Sequence, residues 1–219
     1  MFIKLIIIFA NGDLPNLEKA RAILRDDDFI IAADGGTRHA LALGLAPNII
    51  IGDLDSATAD LRPLTEKGTQ VIRFSQDKNE TDLELAIQHA LTLNPEQVII
   101  LAALGGRLDQ TLGNIALISD QFIIHHSREA FIISLDDGIE EVFFCHDHVQ
   151  FNGTVGDTVS LIPWQGEVAG VVTTNLKWRL QDETLYPQKT RGISNEMTSA
   201  TAAIQIKSGL LLIVHRRAD

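Results

Sequence analysis

The residues best suited to chemistry stand directly after short apolar runs in the first half of the chain. Asn11-Gly12-Asp13 follows the first run and Asp34-Gly35-Gly36 the second. Gly52-Asp53-Leu54-Asp55-Ser56, Ser75-Gln76-Asp77-Lys78 and Gly105-Gly106-Arg107-Leu108-Asp109 follow the next three. Carboxylates at strand ends can hold a divalent cation, and glycines there let phosphate approach the backbone. One Asp-Gly pair is an ordinary turn, but five polar strand ends on one edge point to a ligand site. Asp53 and Asp55 are two residues apart, so on an extended backbone both carboxylates leave the same face and share one ion; the competing readings are a solvated loop, or Asp55 as a helix N-cap. An all-oxygen ligand set favours Mg2+ over zinc. Asp82 belongs to the first turn of a helix, where the helix dipole favours a carboxylate in any case, and the amides near Thr81 can receive a phosphate oxygen. Gly105-Gly106-Arg107 adds close backbone approach and a guanidinium that grips phosphate with two N–H groups. Lys78 reads either as a second phosphate contact or as a solvated loop lysine. The P-loop and dinucleotide fingerprints are both absent, which excludes those two classes.

The elements that position these residues follow from the hydrophobic pattern. Leu5 to Phe9, Phe29 to Ala33, Asn48 to Ile51, Val71 to Phe74 and Val98 to Ala103 are continuously apolar or nearly so, as strands covered on both faces are. Leu17, Ala20, Ile23 and Leu24 recur at helical spacing after Pro15, and Leu83, Ala86, Ile87 and Ala90 do so after Thr81. Thr81-Asp82-Leu83-Glu84 reads as a capping box with Thr81 at the helix start. Alternating strands and helices predict a mostly parallel, Rossmann-like sheet flanked by helices. Beyond residue 138 the texture changes to short β-prone runs, Val142 to Phe144, Thr158 to Ile162, Val168 to Thr173, Ala202 to Ile206 and Leu210 to His215, separated by glycines. That pattern predicts a small β-sandwich, so the expected division is an α/β domain over residues 1–137 and an all-β domain over 138–219.

Bulk properties narrow the function classes. A chain of 219 residues with 45% hydrophobic composition builds a full core. Its formal charge of -11 argues against a nucleic-acid partner, because polyanion binding rests on Lys and Arg. A small phosphate compound carried by a metal ion remains compatible. The single cysteine, Cys145, makes no intramolecular disulfide and reads as a buried thiol, so no oxidising compartment is required. The apolar start from Met1 to Ala10 is too short for a bilayer span, lacks a cleavage signature and reads as a buried strand. The expectation is a soluble, cytoplasmic protein with no membrane partner. His125-His126 and His146-Asp147-His148 resemble metal-ligand spacings but lack supporting motifs, and are read as ordinary histidines.

These motifs occur in the order found in thiamine pyrophosphokinases, which the chain resembles from about residue 5 to residue 214. The resemblance rests on Asp34-Gly35-Gly36, Gly52-Asp53-Leu54-Asp55-Ser56, Asp77-Lys78, Thr81-Asp82-Leu83-Glu84 and Gly105-Gly106-Arg107-Leu108-Asp109-Gln110-Thr111. It continues through Ser160-Leu161-Ile162-Pro163, Leu176-Lys177-Trp178 and Arg191-Gly192-Ile193-Ser194-Asn195-Glu196. It implies an α/β catalytic domain binding ATP and Mg2+, and a β-sandwich that binds thiamine and dimerises. The homodimer would carry its active sites between subunits, and a diphosphoryl group would pass from ATP to thiamine with release of AMP. Carried over, Asp53, Asp55 and Asp82 are Mg2+ ligands, and Thr81, Gly106 and Arg107 contact the nucleotide together with Asp34 and Lys78. Asp109, Ser194 and Asn195 lie near thiamine. Asp109 either orients the hydroxyl or balances the cationic ring, and Trp178 either stacks on the vitamin or, the favoured reading, packs the sandwich. Two departures, Asn175 before Leu176 and Gly113 in the helix after Asp109, leave this chemistry untouched; Asn175 suits a left-handed turn.

Overall fold

In a computed structural model the chain is described over residues 5–54, 61–120 and 131–218. It divides into two units, Met1–Gly138 and Ile139–Asp219, where the sequence reading divides it at 137/138.

The first unit is a parallel sheet. Strands β1 (Leu5–Phe9), β2 (Phe29–Ala33), β3 (Ile49–Gly52), β4 (Gln70–Arg73), β5 (Gln97–Leu101) and β6 (Ile132–Asp136) run in the order β4-β3-β2-β1-β5-β6. The sixth strand, parallel to β5, is absent from the sequence reading. Among the described residues the helices are α1 (Leu17–Ile23), α2 (Thr37–Ala42), α3 (Arg62–Thr65), α4 (Asp82–Thr92) and α5 (Leu108–Ile118), and a 3-10 turn spans Asp34–Gly36. Burial on both faces explains the unbroken apolar strands: Ile6, Ile7, Ile8 and Phe9 have no exposed surface. Leu5, Ile7 and Phe9 pack with Ala20 of α1 and Ala40 of α2. Side chains alternate along a strand, so Ile6 and Ile8 face the other way, and α4 lies against β1, β2 and β3. The helix starts are locally encoded. Asn16 caps α1 by accepting the Lys19 N–H at 2.9 Å, and Thr81 caps α4 by accepting that of Glu84 at 3.2 Å. Strand order reverses between β1 and β5, and a parallel sheet opens a ligand crevice at the carboxyl ends beside such a reversal.

The second unit is all β. Strands β7 (Glu140–Cys145), β8 (His148–Asn152), β9 (Thr158–Thr174), β10 (Glu183–Leu185), β11 (Asn195–Glu196), β12 (Thr201–Gln205) and β13 (Ser208–Arg216) form two layers that share β9. The start of β9 pairs with β13 and β11, and β13 also pairs with β7; its end pairs with β12 and β10, and β12 also pairs with β8. The runs at 158–162 and 168–173 are thus one long strand. Gln165 and Gly166, at φ 64 and 152, bend it where its pairing with β13 slips register. Phe143 meets Phe151 edge-on at 5.3 Å. Cys145 is buried and its thiol is pushed up to about 12 by burial. Among the described residues no helix is long and apolar enough to cross a membrane.

A buried ion pair ties this unit together. His215 Nε2 and Asp157 Oδ2 are 2.7 Å apart, both residues are buried, and Asp157 also accepts the N–H groups of Thr154 and Ala218 at 2.8 Å. His215 Nδ1 stands 3.9 Å from Glu141 Oε2, an ion-pair distance rather than a hydrogen bond. Burial alone would depress the imidazole, but the Glu141 and Asp157 carboxylates outweigh it and raise its pKa above the ordinary value of about 6.5. A raised folded-state pKa contributes stability that is complete below about pH 6.5 and disappears as pH climbs through the folded value. Thermal melts of the wild type should therefore lose midpoint temperature as pH rises from about 6.5 through the folded value. His215→Gln should flatten the slope; equal slopes in the two proteins would place the titrating group elsewhere.

Candidate active site

The carboxyl ends of β1, β2, β3 and β5, with the start of α4, build one constellation. Asp34 follows β2 with φ 45, Leu54 follows β3 with φ 64 and Ala102 follows β5 with φ 58. Non-glycine residues rarely adopt this backbone, and such strain gathers at functional sites. The turns bring one carboxylate oxygen each from Asp34, Asp53 and Asp82 within 4.8 Å of one another. Asp34 is 5% exposed, and its Oδ1 is buried with no hydrogen-bond partner among the described residues. A buried acceptor left in that state is strongly unfavourable unless something else occupies it. Three converging carboxylates, one of them carrying a buried, unsatisfied oxygen, fit a hard divalent cation such as Mg2+. Gly52 makes the convergence possible, since a Cβ there would stand 3.0 Å from Asp34 Cβ and 3.2 Å from Asp82 Cγ.

Beside the acids lies a cavity of about 610 Å³, lined by Asn11, Gly12, Asp13, Asp34, Thr81, Asp82, Gly105, Gly106, Arg107, Gln110 and Asn114 among others. Gly105 and Gly106 are consecutive left-handed residues, at φ 79 and 68. A Cβ on Gly105 would meet nothing within 4 Å, so backbone is presented there without side-chain cover. Arg107 occupies the N-cap position of α5, where no side chain caps the helix, and the first N–H groups of the helix favour anions. The guanidinium is held by Asp109 in a fork, Nε to Oδ1 at 3.1 Å and Nη2 to Oδ2 at 2.6 Å. Hydrogen bonding to Arg107 holds the Asp109 carboxyl below the ordinary range, and the same bond raises Arg107.

Several sequence readings change in the structure. The Gly35-Gly36 pair does not open backbone to phosphate: a Cβ on Gly36 would collide with Phe9 O, and one on Gly35 with the Asn11 side chain, so these glycines press the 3-10 turn against the end of β1. Lys78 is neither solvated nor among the residues lining the cavity; its ammonium donates to Asp82 Oδ1 at 2.5 Å. Asp34, grouped with the nucleotide contacts on sequence, joins Asp53 and Asp82 in the acid cluster. Asp55, and likewise His125 and His126, lie outside the described residues. Asn11, Asp13 and Gln110, quoted in the sequence motifs without a role, line the cavity, as does Asn114, which no motif contains. Arg38 anchors the loop after β1, donating to Asn11 Oδ1 and to the carbonyls of Asn11 and Gly12 at 3.0 Å. Burial lowers the His39 imidazole pKa, and the neutral ring donates from Nε2 to Gly12 O at 2.8 Å. Nothing in the spacing of Arg38 or His39 announces these roles.

In the second unit Asn195 clamps Trp178: its Oδ1 accepts the Trp178 N–H at 3.0 Å and its Nδ2 donates to Trp178 O at 2.7 Å. The indole is not sandwich packing, being 51% exposed, and Lys177 Nζ sits 4.9 Å over the ring. Ser194 takes a left-handed turn at φ 58 and donates its N–H to Ser160 Oγ at 3.0 Å. Asn175 is left-handed at φ 61.

Comparison with known proteins gives concordant matches. Residues 20–126 match the family model described as thiamin pyrophosphokinase, catalytic domain, and residues 148–211 match that described as thiamin pyrophosphokinase, vitamin B1 binding domain. A thiamine pyrophosphokinase of Bacillus subtilis is 26% identical over 212 residues, spanning 96% of this chain and 98% of that one. The crystal structure of the thiamine pyrophosphokinase from Bacillus subtilis superposes with a TM-score of 0.83 at 25% identity, covering 99% of this chain and all of the other. A 6-hydroxymethyl-7,8-dihydropterin pyrophosphokinase of Pyrococcus furiosus is 33% identical over 109 residues, 47% of this chain and 46% of that protein.

Proposed function

The chain belongs to the thiamine pyrophosphokinase family, and on that premise we propose that it transfers a diphosphoryl group from ATP to the hydroxyl of thiamine, releasing AMP, in the cytoplasm. The observation that carries the proposal is the convergence of carboxylate oxygens from Asp34, Asp53 and Asp82, one of the acids holding a buried oxygen with no partner among the described residues, beside a cavity of about 610 Å³. These three acids, with Asp55, would hold Mg2+, whose charge lowers the barrier by drawing electron density from the polyphosphate oxygens. Thr81, the Gly105-Gly106 backbone and the open N-terminus of α5 bind and orient the polyphosphate. In the transfer the thiamine oxygen bonds to the β-phosphorus as the bond from that phosphorus to the oxygen bridging the α-phosphate breaks; AMP keeps the bridging oxygen, and the hydroxyl proton leaves to solvent. Arg107 would neutralise charge that builds on the leaving phosphate. Asp109, its pKa held down by Arg107, is a poor proton acceptor and serves better as a fixed negative charge beside the cationic thiazolium.

In the sandwich the exposed Trp178 ring is offered as the stacking surface for thiamine, with Asn195 and Ser194 fixing the backbone beneath it. The Lys177 ammonium over the indole illustrates that this face favours a cation. A homodimer is part of the proposal. Leu108 and Leu112, one turn apart on α5, are 70% and 50% exposed, and such an apolar ridge suits a second copy of the chain.

A pterin alcohol is the second reading, favoured by the partial match to the Pyrococcus furiosus enzyme. The match of residues 148–211 to a vitamin B1 binding domain favours thiamine. With both alcohols present at equal concentration, the enzyme should convert thiamine at least about a hundredfold faster, the discrimination expected of a site shaped to one of them; preferential conversion of the pterin would reverse the assignment.

A further inference from the structure

Lys78 is a cation that the chain itself supplies to the acid cluster. Its side chain is only 12% exposed, which is uncommon for lysine, and its ammonium stands 5.9 Å from the centre of the Phe74 ring. The loop that carries it is braced, with the Lys78 N–H donating to Gln76 O at 2.9 Å and the Asp77 N–H to Ser75 Oγ at 3.2 Å. The ammonium donates to Asp82 Oδ1 at 2.5 Å, and Asp82 offers a carboxylate oxygen to the group it forms with Asp34 and Asp53. An ammonium so placed offsets part of the charge of three converging carboxylates. It also repels any divalent cation approaching the same oxygens, and in a partly desolvated site that repulsion is weakly screened.

We propose that Lys78 is a positioning residue that holds bare divalent cations off Asp82, so that the cluster fills with a cation already carrying a polyphosphate. The proposal rests on the reading of the three acids as metal ligands. A cation bound to a nucleoside triphosphate is net negative, so the ammonium that repels the free ion attracts the complex. Lys78 thereby makes the site selective for a metal–nucleotide complex over the free ion.

The test titrates Mn2+ into the full chain without nucleotide, followed by electron paramagnetic resonance, for the wild type, Lys78→Met, Lys78→Arg and Asp34→Asn. A second titration uses the Mn2+ complex of a non-hydrolysable ATP analogue. Lys78→Met should bind free Mn2+ about fivefold more tightly than the wild type, the upper end of what one ion pair open to solvent is worth, and bind the nucleotide complex more weakly. Lys78→Arg should resemble the wild type in both. Free Mn2+ binding that is unchanged or weaker in a Lys78→Met protein of normal circular dichroism overturns the proposal, while loss of Mn2+ binding in Asp34→Asn keeps the metal reading standing. Failure of all four proteins to bind Mn2+ in either form sinks the metal reading, and this proposal with it.

Discussion

Replacing Asp34 with asparagine should reduce turnover about a thousandfold, the scale on which one preorganised charge at a phosphoryl or acyl transfer site acts, while leaving the free protein as stable as before or more so. The two effects have one cause. Asp34 is buried, and its Oδ1 finds no partner among the described residues; without a bound cation that oxygen is a buried acceptor lacking a hydrogen bond, beside Asp53 and Asp82, which costs about 1–3 kcal/mol. Asparagine removes the charge and keeps the shape. It also tolerates the left-handed backbone at φ 45 better than most residues, so the turn into α2 survives. Thermal melts in a chelator, compared with kcat at saturating Mg2+ and ATP, check both halves. A variant that melts lower and turns over normally would mean that Asp34 is a structural acid.

Gly52→Ala attacks the same cluster without removing any charge. Its Cβ would lie 3.0 Å from Asp34 Cβ and 3.2 Å from Asp82 Cγ, closer than side-chain carbons normally approach, so one or both carboxylates must move. A displacement of about 1 Å at reacting groups costs on the order of a hundredfold in rate, and overpacking costs about 1–3 kcal/mol of stability. The expected result is a large fall in kcat with a modest fall in melting temperature, together with weaker Mn2+ binding. Stability lost without any loss of kcat would show that the acids need not converge so closely.

The framework was readable in the sequence because each element carries its own signal. Unbroken apolar runs mark β1, β2 and β5, Thr81 and Asn16 mark helix starts, and polar residues after each strand mark the edge where a parallel sheet presents ligands. What escaped depends on contacts between distant positions. Asp34 joins Asp53 and Asp82 through a left-handed turn that no spacing encodes. Lys78 reads equally as a phosphate contact or as a solvated loop lysine, and neither reading contains the bond its ammonium makes to Asp82, four residues on. Trp178 was favoured as packing, as a buried aromatic in a sandwich would be, yet Asn195 holds its backbone so that the ring stays exposed. The β9 bend was hidden because Gln165-Gly166 reads equally well as a hairpin break between two strands.

Transfer of a diphosphoryl group in one step is read directly from the products. Incubating the protein with ATP, thiamine and Mg2+ and quantifying the nucleotide and thiamine products by chromatography should yield AMP and thiamine diphosphate in equal amounts, with no accumulation of ADP, and Asp82→Asn should abolish both. ADP with thiamine monophosphate as the products, or no thiamine phosphate at all from folded protein, would contradict it.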